Sequence, residues 1–159
     1  MSEGIGDLRF LKDTSDRVRE IFQYWDTRRG ERAMPQRRDF DPIDLPKHLP
    51  GIILIDVEGI DEDGIGIYRY RVVGTAEVSN RGYDPTGKLV TEGYFGPSLP
   101  EVVDDYETVR QTRSFLYEPI EFIADDYKVI DELSIVLPFS EDGETVSQIL
   151  VFSERRLRG

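Results

Sequence analysis

The sequence contains no cysteine, an absence that removes disulfides, thiolate nucleophiles, iron–sulfur clusters and sulfur-ligated zinc together. Histidine occurs once, at His48 in the proline-flanked stretch Leu45 to Pro50, so no histidine pair with metal-ligand spacing exists. Only a carboxylate-built metal site is left open. Long apolar runs are missing as well. Runs such as Ile52 to Ile55 and Ile135 to Leu137 fall far short of the roughly 20 residues that cross a bilayer as a helix. Met1 to Asp7 carries acidic residues and glycines where a secretory signal places a basic segment and an apolar stretch, so the expected location is the cytoplasm. Positive charge is scarce: 32 acidic residues against 20 basic give a net charge of -12, which repels a phosphate backbone. The densest basic cluster, Arg28, Arg29, Arg32, Arg37 and Arg38, is broken by Glu31 and flanked by Asp26 and Asp39. It reads as a solvated helix end and loop, and no nucleic-acid partner is expected.

What is present suits one domain: 159 residues, 38% of them hydrophobic, suffice for a single core and not for two. Residues 1–12 read as a flexible N-terminus. Residues 13–30 read as an amphipathic helix, because Val18, Ile21, Phe22 and Trp25 recur at i, i+3, i+4 and i+7 and therefore share one stripe. Asp13, Thr14 and Ser15 can each cap its start, and Gly30 can end it. Residues 31–50 form an extended strap, interrupted by Pro35, Pro42, Pro46 and Pro50 and pinned to the body by Phe40, Ile43, Leu45 and Leu49.

Residues 51–154 read as the core. Ile52 to Val57 and Ile65 to Val73 are strand-like and joined by an acidic glycine turn, which predicts a hairpin. Thr75 to Pro97 is glycine-rich and predicts short helical turns. Ser98-Leu99-Pro100-Glu101 is a reciprocal capping box, and Leu99, Val102, Val103, Tyr106 and Val109 then continue at helical spacing to about Arg113. Three more runs, Phe115 to Ile123, Lys128 to Pro138 and Thr145 to Ser153, predict antiparallel strands, with Pro119 on an edge or at a bulge. Residues 155–159 are expected to fray. The fold class is α+β, a five-stranded antiparallel sheet with a helical crossover and an N-terminal amphipathic helix.

That order of elements resembles the PAS fold. At the level of residues, Pro35-Gln-Arg-Arg-Asp39-Phe-Asp-Pro42, Leu49-Pro50, Tyr70-Arg71-Val-Val-Gly74-Thr75 and Gly82-Tyr-Asp-Pro-Thr-Gly87 resemble a family of single-domain PAS-like proteins from alphaproteobacteria. The resemblance spans Met34 to the last strand. It implies a small sensory or regulatory module that acts by protein–protein contact, with a pocket between sheet and helices and no enzyme activity. PAS-like domains that hold haem usually do so through a histidine on the long helix, and none lies between Leu99 and Arg113. A covalent flavin adduct needs a cysteine, so only noncovalent flavin stays open, and the cofactor is unknown.

Candidate ligand residues are Arg71, Thr75, Tyr83 and Tyr106, with Arg71 presenting a bidentate fork to a small carboxylate or phosphate. The alternative is that Arg71 pairs with Asp84 or another loop carboxylate and fixes the crossover while the tyrosines pack. Gly74, Gly82 and Gly87 lack phosphate-loop spacing and read as conformational. The stripe Val18, Ile21, Phe22 and Trp25 is either a homodimer or signalling-partner interface or the cover of its own sheet. Two rival functions stay in view. A small α+β enzyme would use Asp84, Glu118 or Asp131 as general acid or base. A ligand-free structural adaptor would have its cavity filled by Phe115, Phe122 and Phe139.

Overall fold

The computed structural model describes residues 4–94, 99–123 and 126–157. Ser98, the expected cap of the long helix, lies outside the described residues, as does the side chain of Phe122. Five strands, β1 (Ile52–Ile60), β2 (Gly66–Val73), β3 (Leu116–Ile123), β4 (Val129–Phe139) and β5 (Gln148–Leu157), build one sheet in the order β2-β1-β5-β4-β3. Every neighbouring pair is antiparallel. Among the described residues the α-helices are α1 (Asp16–Arg29) before the sheet, then α2 (Thr75–Arg81), α3 (Val90–Gly93) and α4 (Leu99–Thr112) between β2 and β3.

Side chains alternate across a pleated strand, and this alternation sorts the core into two layers. Ile52 and Leu54 of β1, Leu133, Ile135 and Leu137 of β4, and Leu150 and Phe152 of β5 pack with Val18, Ile21, Phe22 and Trp25 of α1. Ile53 and Ile55 of β1, Tyr68 and Tyr70 of β2, Leu116, Val136, Ile149 and Val151 meet Val90 of α3 and Tyr106 and Val109 of α4 on the opposite face.

Helix α1 forms because its four apolar residues lie on one stripe while Ser15 accepts a hydrogen bond from the Val18 amide at its start. Asp13 and Thr14 do not cap it. Gly30 ends it at a positive φ of 59°, a backbone state that glycine adopts without Cβ strain. All four stripe residues are fully buried, each contributing roughly 1.5–3 kcal/mol by leaving water. Trp25 donates its indole N–H to the Pro138 carbonyl at 3.0 Å, so this buried donor is satisfied inside the layer. The stripe covers its own sheet, the second of the two readings open at the sequence level.

The described residues toward each end, 4–12 and 154–157, are tied to the sheet. Ile5 bridges to Leu116 on the free edge of β3, the Gly6 amide donates to the Phe115 carbonyl at 2.8 Å, and Phe10 stacks on Tyr117 at 4.5 Å. Residues 4–12 are thus an anchored segment rather than a flexible one, because edge amides and an aromatic face were available to them. At the other end β5 continues past Ser153, with Arg155 opposite Glu132 and Arg156 opposite Asp131. Charge complementarity across the ladder extends the strand where composition suggested fraying.

The strap is a chain of short 3-10 turns at Arg37–Asp39, Pro42–Asp44 and Leu49–Gly51. Phe40 and Leu45 pack on the body, but Ile43 and Leu49 are exposed, and Met34 and His48 are buried instead. His48 accepts a 3.4 Å hydrogen bond from the Arg17 Nε at Nδ1, which puts its own hydrogen on Nε2, 2.8 Å from the Glu20 carboxylate. The lone histidine therefore staples the strap to α1. Gly74 closes the other side, its amide 2.8 Å from the Ile52 carbonyl. A Cβ there would come within 2.2 Å of the Pro50 carbonyl oxygen, so only glycine permits this backbone approach.

Candidate functional site

The α1 layer is apolar and closed. The layer under α2, α3 and α4 is different, because tyrosines line it and charged side chains reach into it. Tyr68 and Tyr106 meet edge to face at 5.4 Å. Tyr68 then donates its hydroxyl to Glu107 Oε1 at 2.6 Å, and the same carboxylate accepts from the Gly66 amide at 2.7 Å and from Arg110 at 2.6 Å. Burial pushes this carboxyl up, but the Arg110, Tyr68 and Gly66 donors outweigh it and hold Glu107 below its ordinary value. One carboxylate therefore docks the β1–β2 hairpin onto α4.

Tyr70, the next inward residue of β2, is 1% exposed. Its hydroxyl has no hydrogen-bond partner among the described residues, and neither does the buried Nη1 of Arg81 at the end of α2. The two side chains are in contact, with the guanidinium carbon of Arg81 5.4 Å from the Tyr70 ring centroid. Burial pushes the Tyr70 phenol up to about 12, against the pull of Arg81. Burial likewise raises Tyr106, with Tyr70 and Tyr94 adding to the rise and Arg81 opposing it. Glu77 lies one turn earlier on α2. Burial raises it while Arg81 and Arg155 oppose, and among the described residues Arg81 makes no ion pair.

Further along the same face the sheet turns polar, since the register sets Glu118, Ser134 and Ser153 abreast, and the two serine hydroxyls bond at 2.8 Å. Asp105 of α4 meets Glu118 here carboxyl to carboxyl. Burial first, then the hydrogen bond and charge of Glu118, raise Asp105 to about 8, so the pair holds one proton across neutral pH.

The candidate ligand residues do not converge. Only Tyr106 lines this layer. Arg71 is exposed and stands 3.7 Å from Asp56, because it is the extra residue of a β-bulge between the Leu54–Val72 and Ile55–Tyr70 pairings. Thr75 is exposed at the start of α2, and Tyr83 bonds the Gly93 carbonyl while remaining partly in water. The crossover is fixed by Arg69, which donates to the Gly87 carbonyl at 2.8 Å and to Glu58 at 3.0 Å. Asp84 does not pair with Arg71 but accepts from the Thr86 amide and hydroxyl in its own turn. Gly82 and Gly87 take positive φ values of 80° and 88°, the conformational role expected of them.

Of the carboxylates considered for acid–base chemistry, Glu118 has a carboxyl partner, whereas Asp131 sits in the ladder between Glu121 and Arg156. Phe115 and Phe139, offered as cavity fillers, pack on the α1 face. Tyrosines fill the other layer. Two shallow surface clefts, about 400 and 600 Å³, lie elsewhere, one around Asp56 and Glu141 and one around Phe10 and Tyr117. Among the described residues no group of three or more histidine and acidic side chains is set to hold a metal, and no helix is long and apolar enough to cross a membrane.

No curated protein matches the chain. Among solved structures it is similar to a light-oxygen-voltage domain studied with a flavin analogue, at 11% identity over 72% of this chain and 82% of that one, with a TM-score of 0.49. It is also similar to the LOV protein of Rhodobacter sphaeroides, at 11% identity over 73% and 68%, with a TM-score of 0.45. The PAS-B domain of Drosophila melanogaster Cycle with bound glycerol aligns at 12% identity over 67% and 98%, with a TM-score of 0.42. The PAS domain family itself matches residues 13–151, from just before α1 into the last strand. With five antiparallel strands divided two and three by a helical insert, the chain belongs to the PAS domain family.

Proposed function

We propose that this chain is a sensory or regulatory module that acts through contact with another protein, a second copy or a different partner, and that the layer under α2, α3 and α4 is where a small noncovalent ligand sets that contact. The observation that carries the reading is the pair of buried, unpartnered polar groups of Tyr70 and Arg81 in that layer, since the other unpartnered buried atoms among the described residues, on Thr14, Gln148 and Glu154, lie outside both core clusters. Buried polar groups ordinarily have partners. A face that lacks them is built to receive something or to rearrange.

Native mass spectrometry of freshly purified protein tests the reading, since bound mass and association state appear in one spectrum. A retained small molecule whose presence changes the fraction of assembled protein supports it. A bare monomer under all loading conditions and concentrations contradicts it. The acid–base alternative has the Asp105–Glu118 pair in its favour, but the serine hydroxyls abreast of it, Ser134 and Ser153, hydrogen-bond each other at 2.8 Å. The pair is read here as a proton-bound brace between α4 and β3.

A further inference from the structure

The paired orphan atoms of β2 and α2 restrict the chemistry of what enters, an inference that rests on the sensing-layer reading above. A guanidinium offers only donors. A phenol held above its ordinary value stays protonated at physiological pH and offers a donor too. Two donors, one of them a permanent cation, are complemented by an acceptor that carries negative charge and has two oxygens to share. The chain's own carboxylates do not fill that role. Glu77, nearest in sequence on α2, is not ion-paired with Arg81 and is itself pushed toward its neutral form by burial. Glu107 is engaged by Tyr68, Gly66 and Arg110, and Asp105 by Glu118.

From the contact between these two side chains and the lack of a partner on either, we infer that Tyr70 and Arg81 form a receptor for a small carboxylate anion, entered from the α2 side. The surrounding tyrosines Tyr70 and Tyr106 keep water away and strengthen the ion pair with Arg81. Tight filling of the layer by Val90, Tyr106 and Val109 limits the ligand to a few heavy atoms unless α2 moves. Arg81 sits in the last turn of α2, just before the left-handed Gly82. An anion drawn to it therefore pulls directly on the joint between α2 and the loop that pairs with β2 through Gly87 and Lys88.

The test is an NMR titration of the full chain with sodium acetate, matched against sodium chloride and against acetamide, a neutral molecule of the same shape. Acetate is expected to shift the Tyr70, Arg81 and Tyr106 resonances saturably, and acetamide to leave them in place. Arg81→Gln should weaken acetate about tenfold or more, the loss expected for one charge-assisted hydrogen bond. Tyr70→Phe, which removes one oxygen and keeps the fold, should weaken it by less. Equal shifts with acetate and acetamide, or undiminished acetate binding in Arg81→Gln with native-like spectra, overturn the receptor. If acetate binds at Arg81 but the association state stays fixed, the receptor stands and the sensory reading falls.

Discussion

The two faces of the sheet are built to different rules. Under α1 the core packing is aromatic and aliphatic, Phe22 against Phe115 at 4.8 Å and Phe40 against Phe139 at 5.4 Å, its indole N–H is bonded, and the unpartnered buried atoms of Gln148 and Glu154 lie outside the cluster. Under α2, α3 and α4 the packing runs through tyrosines, and the polar groups fall into three states: bound at Glu107, sharing a proton at Asp105 and Glu118, and unpartnered at Tyr70 and Arg81. A close-packed apolar layer has one arrangement. A layer with unmet hydrogen-bonding capacity has more than one arrangement near in free energy, and that makes it responsive to a ligand. Evidence for a fixed face and an adjustable face thus lies in chemistry as much as in shape.

The largest effect that separates the faces is expected from Phe22→Ala. It opens a cavity in the fixed face and should cost about 3–5 kcal/mol by denaturant unfolding, with the association state unchanged in whatever fraction stays folded. Glu107→Ala should cost about 1–3 kcal/mol by stranding the Tyr68 hydroxyl and the Gly66 amide, and should loosen the β1–β2 hairpin before the rest of the sheet in hydrogen exchange.

Titration comes next. Asp105 has a native value raised to about 8 from an ordinary carboxylate value, so the native state holds more protons than the unfolded state between those limits. Its contribution to stability is then greatest at acid pH and declines as pH rises toward 8. Asp105→Asn should flatten that slope, and an unchanged slope would remove the shared proton from the account.

Smaller still, Tyr70→Phe should leave stability unchanged or slightly raised, since it deletes an unpartnered hydroxyl rather than a bond. A clear loss would mean that the hydroxyl is satisfied in solution. Arg71→Ala, at an exposed bulge, should stay within about 0.5 kcal/mol of the parent.

The sequence carried the fixed face far better than the adjustable one. The stripe of α1, its glycine end and the five strands are periodic signals, and periodicity is local. Arg71 was misleading because one inserted residue changes which face every later side chain takes, and no residue in Tyr70-Arg71-Val72-Val73 announces the bulge. Arg81 lay in a glycine-rich stretch without a repeat. The left-handed glycine after it and the i,i+4 spacing from Glu77 were the available signs that it ends a helix. Asp105 and Glu118 meet only because α4 packs over the sheet at β4, next to β3, a tertiary event with no local signature. Glu107 escaped notice for the same reason, since its partners Gly66 and Tyr68 come from a hairpin some forty positions earlier.

The contrast between faces is tested most directly by residue-resolved native-state hydrogen exchange of the unmodified chain. Amides of α1 from Ile21 to Trp25 should exchange only with global unfolding, and those at the C-terminal end of α2, up to Arg81 and Gly82, should exchange through local opening, about a hundredfold faster or more. Equal protection of the two helices would contradict the division into a fixed and an adjustable face.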